Sequence, residues 1–372
     1  MTKTINETIR IIPLGGVGEI GKAMYVVEID EEIFIVDSGL MFPENEMLGI
    51  DIVIPDVTYL EENKARIKGI FLTHGHEDAI GSISYLLNKI QAPVYGSRLT
   101  IALAKEHLKE LPAAQPVKFF EVTNKSRMNF KSTHVTFFHT THSIPDSLGI
   151  VFHTSEGAIV HTGEFKFDQA AKGSYRPDIA KMAGLGEEGV FILMSDSTEA
   201  ERPGYTTSES VVEEHLSETF HGAKGRILVS LYSSNFIRIQ QVFDTAIEAR
   251  RKVAVVGKTL ETVFEVGKRL DYLQVDEETL ISIKDIGNYE DHEVVIIVSG
   301  TQGEPIEALE KMVRKHHKDV KIKDTDTVLF TFTPSPGMEV AMFKTMNQLA
   351  KVGAKVLTAS KKVHVSGHGS QE

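Results

Sequence analysis

The sequence predicts an α/β protein built in two dissimilar parts, and three observations carry that prediction. Short β-branched and aromatic runs crowd the first half, helical and strand patterns alternate regularly through the second, and cysteine is absent throughout.

In the first half, from Ile9 to about Ser195, the runs IRIIP, AMYVVEI, IFIVD, GIFLT, VTFFHT, AIVHT and VFILMSD are mostly bounded by Gly, Asp, Asn or Pro, as strands are. Two helical patterns interrupt them: AIGSISYLLNKI after Asp78 and SRLTIALAKEHLKEL from Ser97, each with apolar residues recurring at three and four. After about Thr207 the order becomes VVEEHLSETF, RILVS, FIRIQQVFDTAIEAR, KVAVVG, LETVFEVGKRL, EVVIIVSG, IEALEKMVRKH, TVLFT, MEVAMFKTMNQLA and AKVLTAS. Helix and strand in strict alternation imply βαβ units and a parallel sheet. A boundary therefore falls near residue 207, and a second α/β domain runs to about residue 355. No Ser/Gly linker or low-complexity tract separates the two. The final KKVHVSGHGSQE reads as an interrupted end.

Composition narrows the function. With 372 residues, 41% hydrophobic and 25% charged, the chain has room for two or more domains and reads as an ordinary globular protein. No apolar run approaches the ~20 residues of a membrane span, and MTKTINETIRIIP lacks the basic start and apolar stretch of a signal peptide. A cytoplasmic protein with no membrane partner is expected. Without cysteine, a metal must be held by histidine, carboxylate or backbone oxygen, which directs attention to the 15 histidines. The net charge of −12 argues mildly against broad nonspecific nucleic-acid binding. It leaves room for a nuclease, because a groove can be locally positive on an acidic protein.

The strongest chemical signal is His74-Gly75-His76-Glu77-Asp78-Ala79, where the strand GIFLT gives way to a helix. Two histidines and an aspartate on one such turn converge on a point, as a hydrolytic metal needs. His142 in HTTHSIPDS and His161 before Gly163 and Glu164 also follow strands. A lone histidine there is more often a capping or buried polar group; their recurrence beside the first cluster favours ligation. Gly16 to Lys22 has the spacing of a phosphate-binding loop, but Ala23 replaces the hydroxyl that would hold magnesium, and Glu19 would sit among the phosphates. Those glycines fit a tight turn better. Gly300, Gly303 and Glu304 of SGTQGEP likewise more plausibly shape a domain interface or channel.

Taken in order, LGGVGEIGK, DSG, LTHGHED, HSIPDS, HTGEFKFD, SDSTEAERPG, SGTQGEP and HVSGH resemble the ribonuclease J family across essentially the whole chain. The resemblance implies a metallo-β-lactamase αββα sandwich over residues 1–207, an inserted β-CASP domain over 208–355 and a return to the first domain over 356–372. It also implies a dinuclear site, usually described as zinc with manganese supporting activity, that cleaves RNA phosphodiesters. One metal would be held by His74, His76 and His142; the other by Asp78, the residue after it and a late histidine beyond residue 372, with a carboxylate of the HTG motif bridging. Asp37 would orient the site from outside the ligand shell.

Other roles follow from the same resemblance. Asp78, His368 and Asp196 take catalytic parts, with Asp196 supporting the metal or His368. His364, Val365, Ser366, Gly367 and His368 of HVSGH would face the RNA phosphate, the histidines assisting the leaving oxygen. Ser233, Ser234 and Asn235 resemble a pocket for a 5′-monophosphate, which a helix N-terminus suits, although a plain helix cap fits them equally. Single-stranded RNA would thread between the domains.

Two positions depart from the family pattern. Alanine at 79 replaces a ligating histidine, and Glu164 replaces an aspartate. Alanine cannot ligate, and glutamate's extra methylene shifts the carboxylate by about a bond length against a tolerance of about 0.2 Å. The expectation is one competent metal site, a second that is weak or empty, and reduced turnover. These departures resemble a second, active-site-degenerate paralogue within the family in Gram-positive bacteria, a weak 5′-to-3′ exoribonuclease with a structural or regulatory role in mRNA decay and rRNA maturation. A homodimer, a hetero-oligomer with an active paralogue and membership of an RNA degradosome are implied partners. The family's C-terminal assembly domain is missing from this sequence. The competing reading is a non-catalytic RNA-binding scaffold, favoured by Ala79 and Glu164 and opposed by the retained histidines.

Overall fold

The computed structural model describes residues 7–43, 47–300, 305–334, 337–358 and 363–372. Gly303 and Glu304 lie outside the described residues. Two compact units emerge: one comprises the chain up to Phe167, Ala171–Gly204 and Gly367–Glu372, the other Asp168–Ala170 and Tyr205–Ser366.

The first unit holds two sheets. One runs in the order β1 (Ile9–Gly15), β2 (Met24–Ile29), β3 (Glu32–Val36), β4 (Ile67–Phe71), β5 (Val94–Gly96) and β6 (Phe119–Glu121). Its first three strands pair antiparallel and the rest parallel. The other contains β7 (Arg127–Asn129), β8 (His134–His139), β9 (Leu148–Thr154), β10 (Gly157–His161) and β11 (Val190–Met194), in spatial order β11-β10-β9-β8-β7. β10 and β11 are parallel, so the chain must cross over between them, and it does so through the helix Ile179–Glu188.

The sheets meet face to face over Val27, Phe34, Phe71, Val135, Phe137, Ile150, Phe152 and Ile159. Each such buried side chain contributes roughly 1.5–3 kcal/mol. Leu185 of the crossover helix covers the outer face of the second sheet against Phe138, Val151 and Val160, and the helix Arg98–Glu110 lies against β5 and β6 of the first. The layering is αββα.

The pattern after Asp78, expected as one helix, forms two, Glu77–Ile80 and Ile83–Lys89. Gly81 stands at the break, where a Cβ would lie 2.4 Å from Leu40 Cγ and 2.6 Å from the Glu77 carbonyl oxygen. Close packing of the Asp37–Leu40 turn therefore interrupts a periodicity that sequence reads as continuous.

The second unit is the predicted alternation: β12 (Ile227–Ser230), β13 (Lys252–Val256), β14 (Val294–Val298), β15 (Thr327–Phe330) and β16 (Lys355–Leu357) form an all-parallel sheet ordered β13-β14-β12-β15-β16. Five α-helices accompany it among the described residues: Ser210–Gly222, Phe236–Glu248, Lys258–Arg269, Glu307–Val313 and Glu339–Val352. Every residue of VVIIV in β14 is buried, as expected of a strand covered on both faces. Beneath the sheet's edge, Arg226 meets Asp326 with Nε to Oδ1 at 2.9 Å and Nη2 to Oδ2 at 2.7 Å, tying the segments that lead into β12 and β15.

The return was expected at residue 356; β16, paired with β15, runs to Leu357, and Val363–Ser366 still group with the second unit. No helix among the described residues is long and apolar enough to cross a membrane.

Candidate metal centre

Within the first unit, β3, β4, β8, β10 and β11 end on the same side, and the polar residues just beyond them converge. Beyond β4, Leu72 and Thr73 lead to His74, and His76 directly precedes the short helix Glu77–Ile80. His142 follows β8, Glu164 follows β10 through Gly163, and Asp196 follows β11. Gly163 has φ 62°, and a Cβ there would press within 3.0 Å of Thr73 Cβ, so glycine lets the Glu164 loop close on the His74 strand.

His74, His76, His142 and Glu164 each offer one donor atom, and all four atoms lie within 4.8 Å of one another. Glu164 Oε2 stands 3.0 Å from His142 Nε2, 3.3 Å from His74 Nε2 and 4.0 Å from His76 Nδ1. Asp78 Oδ1 is 3.7 Å from His74 Nε2. Both of those atoms are buried and lack a hydrogen-bond partner among the described residues.

An outer ring of partners decides which ring nitrogen points inward. His142 Nδ1 is 2.9 Å from the Gly367 carbonyl oxygen, which can only accept, so Nδ1 carries the proton and Nε2 presents a lone pair to the cluster. Thr73 Oγ1 donates to the Asp37 carboxylate at 2.8 Å, leaving its oxygen to accept from His74 Nδ1 at 2.9 Å. His76 Nε2 is held by Ser143 Oγ at 3.2 Å, leaving Nδ1 inward. Three histidines fixed by second partners are the usual arrangement around a bound metal.

Burial and the neighbouring charges shift each group of the cluster differently. Burial pushes His76 well below the usual imidazole value, and its His142 and His74 neighbours push it further. Burial also lowers His142, against the pull of Glu164. His74 suffers the same burial, but Glu164, Asp78 and Asp37 outweigh it and raise it to about 9. Burial, then the charge of Glu164, lifts Asp78 well above the carboxylate range. Asp37, wholly enclosed, is pushed up to about 7 despite His74 and the Thr73 hydrogen bonds. Three imidazoles and a carboxylate that bring one donor atom each to within 4.8 Å of one another are a donor set that fits a divalent metal. A second metal fits less well. Ala79 is buried and brings no donor atom at the position where the second metal's pattern expects a histidine.

Beside the cluster, His368 Nδ1 lies 2.7 Å from Asp196 Oδ2, and its Nε2 points to within 4.0 Å of Glu164. Burial depresses His368, yet Glu164 and Asp196 together raise it to about 9. Asp78, Asp196, His368, Asp37 and Gly367 are thus gathered around the three histidines and Glu164. Ser233, Ser234 and Asn235 belong to the second unit, between β12 and the helix Phe236–Glu248, where the Asn235 side chain caps the helix by accepting from Arg238 N at 3.0 Å. His364, Val365 and Ser366 also belong to that unit, with Val365 and Ser366 buried. Sequence reasoning missed Thr73 and Ser143. The available signal was a hydroxyl residue directly beside His74 and His142.

The comparisons with known proteins bear on both units. The profile of the metallo-beta-lactamase superfamily matches residues 17–188, and that of the ribonuclease J beta-CASP domain matches residues 224–349. Fold and site therefore define a metallo-β-lactamase protein carrying a β-CASP domain. The chain is 55% identical over all 372 residues to ribonuclease J 2 of Staphylococcus saprophyticus and 54% identical to ribonuclease J 2 of Staphylococcus aureus, spanning 67% of each relative's length. It belongs to the ribonuclease J family, a family of metal-dependent nucleases. A crystal structure of a protein of unknown function from Enterococcus faecalis shares the fold, with a TM-score of 0.69 at 12% identity, covering 97% of this chain and 89% of that one.

Proposed function

We propose that the chain is a weakly active ribonuclease that degrades single-stranded RNA from a 5′-monophosphate end, with some endonucleolytic cleavage, in cytoplasmic mRNA decay and rRNA maturation. The observation that supports it is the convergence of His74, His76, His142 and Glu164, whose donor atoms lie within 4.8 Å of one another, beside a buried Ala79 where a second ion would need a donor. His74, His76, His142 and Glu164 would hold one zinc or manganese ion. When bound, such an ion polarises water and screens charge on a scissile phosphate. Around it the chain's own groups divide the work. Asp78 Oδ1 accepts a proton from the attacking water, Asp196 holds the His368 ring by Nδ1, and His368 Nε2 delivers a proton to the leaving oxygen. Ser233, Ser234 and Asn235 would receive the 5′-phosphate, and His364, Val365, Ser366 and Gly367 the adjoining backbone.

The second reading, favoured by Ala79 and Glu164, is a largely non-catalytic RNA-binding partner of an active ribonuclease J paralogue, in a homodimer, a hetero-oligomer or an RNA degradosome. Incubating the protein with 5′-monophosphorylated single-stranded RNA, with and without manganese, separates the two. Metal-stimulated loss of RNA that vanishes in the His74→Ala/His76→Ala variant supports the nuclease. RNA left intact, or lost equally in the variant, leaves the scaffold.

A further inference from the structure

Gly367 to Gly369 touch two of the four candidate ligand positions. The Gly367 carbonyl accepts from His142 Nδ1 at 2.9 Å, and Gly369 N donates to the Phe165 carbonyl at 2.7 Å, one residue after Glu164. Between them His368 is fastened to Asp196 at 2.7 Å. His142 is 225 positions earlier in the sequence than Gly367 and lies after β8, whereas Glu164 lies after β10. This short segment therefore ties together the loops that bring His142 and Glu164 to the cluster.

Glycine is required at the first of these positions. A Cβ on Gly367 would come within 2.8 Å of His142 Cε1 and 2.9 Å of Nδ1, and His142 is buried with a relative exposure of 2%. The ring has nowhere to retreat without moving Nε2 away from its neighbours. Gly369 differs: a Cβ there would stand 3.6 Å from the Phe165 carbonyl oxygen, in ordinary contact.

We propose that residues 367–369 are a positioning clamp for the metal centre. Through its carbonyl, Gly367 holds His142 as the Nδ1–H tautomer with Nε2 facing the metal, so retention of the metal depends on this segment. The proposal rests on the reading of His74, His76, His142 and Glu164 as a metal site. An outer partner of a ligand histidine typically changes metal affinity 10- to 100-fold, which sets the expected effect.

The test is zinc affinity of the whole chain, measured by competition with a chromophoric chelator, for the wild type, Gly367→Ala, His74→Ala/His76→Ala and, as a control outside the clamp, Gly186→Ala on the crossover helix, where a Cβ would meet nothing within 4 Å. Thermal melting in EDTA checks that each variant is folded. The clamp predicts a loss of about 10- to 100-fold in Gly367→Ala and wild-type affinity in Gly186→Ala. Equal affinity in Gly367→Ala and the wild type overturns it. A wild type no tighter than the double-histidine variant would instead refute the metal-site reading beneath it. Should Gly367→Ala fail to fold, the ¹⁵N shifts of His142 in the zinc-free wild type decide: a protonated Nδ1 supports the clamp and a protonated Nε2 overturns it.

Discussion

Thr73 Oγ1 lies 2.9 Å from His74 Nδ1, so the residue directly before this candidate ligand also sets its outer edge. The same hydroxyl reaches Asp37 Oδ1 and Oδ2 at 3.0 and 2.8 Å, and the Thr73 backbone N–H donates to Asp37 Oδ1 at 2.7 Å. Asp37 itself sits at φ 62°, a left-handed conformation that a non-glycine residue adopts only when its surroundings hold it there. Asp37 thus acts on His74 through an intervening hydroxyl.

Replacing Thr73 with valine keeps the shape and removes the hydroxyl. Zinc affinity should fall about 10- to 100-fold, as for other lost outer partners, while Thr73→Ser stays near wild type. Stability should drop by about 1–3 kcal/mol in the valine variant, because His74 Nδ1 and Asp37 both lose a buried partner. Chelator competition and urea unfolding measure the two effects. A valine variant that binds zinc as well as wild type would break the proposed link from Asp37 to His74.

Restoring the family pattern tests whether missing ligands limit the rate. Ala79→His with Glu164→Asp should raise bound metal toward a second equivalent per chain and speed RNA hydrolysis by about tenfold or more, equivalent to ~1.4 kcal/mol of barrier. Ala79 is buried, so the imidazole must also be accommodated, at a cost of about 1–3 kcal/mol of stability. Metal content by mass spectrometry and single-turnover kinetics report the outcome. A second equivalent without faster turnover would place the limit elsewhere.

In the second unit the buried Arg226–Asp326 pair should behave as a fold element independent of the metal. Truncating Arg226 to alanine leaves Asp326 enclosed and uncompensated, and unfolding free energy should fall by about 3–5 kcal/mol. Replacing both partners with apolar residues of similar volume should recover much of that loss. Denaturant titrations of the single and double variants measure it, and a single variant as stable as wild type would contradict the assignment.

On the second sheet of the first unit, His134 and His153 stack across β8 and β9 with ring centroids 4.1 Å apart. Burial lowers both, with Arg127 adding to the effect at His134 and His134 itself at His153, while Glu188 opposes and Lys181 reinforces the shift at His153. A histidine lowered in the folded state is protonated first in the unfolded chain. Its contribution to stability is complete above the unfolded value of about 6.5 and is lost as pH falls from there through the folded value. Thermal melts between pH 7 and 5 should therefore show a steeper loss of stability in the wild type than in His153→Phe. Parallel pH profiles would remove the stacked pair as the cause.

Much of this protein was legible in its sequence. Short β-branched and aromatic runs, and apolar residues recurring at three and four, outlined the strand-rich first half and the alternating second half, because strand and helix favour those patterns in any chain. His74, His76, Asp78, His142 and Glu164 were legible because ligand types recurred just beyond strand ends. Gly367 was read for its neighbours in HVSGH, whereas its carbonyl contact with His142 depends on two backbone paths meeting 225 residues apart. Nothing local encodes such a meeting.

The sequence by itself determined the α/β class, the order of elements, the absence of thiolate ligands and the set of side chains able to hold a metal. Tertiary structure alone decided which nitrogen of each histidine faces inward, since that follows from a carbonyl and two hydroxyls placed around the rings. It also decided that Val356 stays with the second sheet, because β16 pairs there with β15, a contact between distant segments that no local pattern encodes.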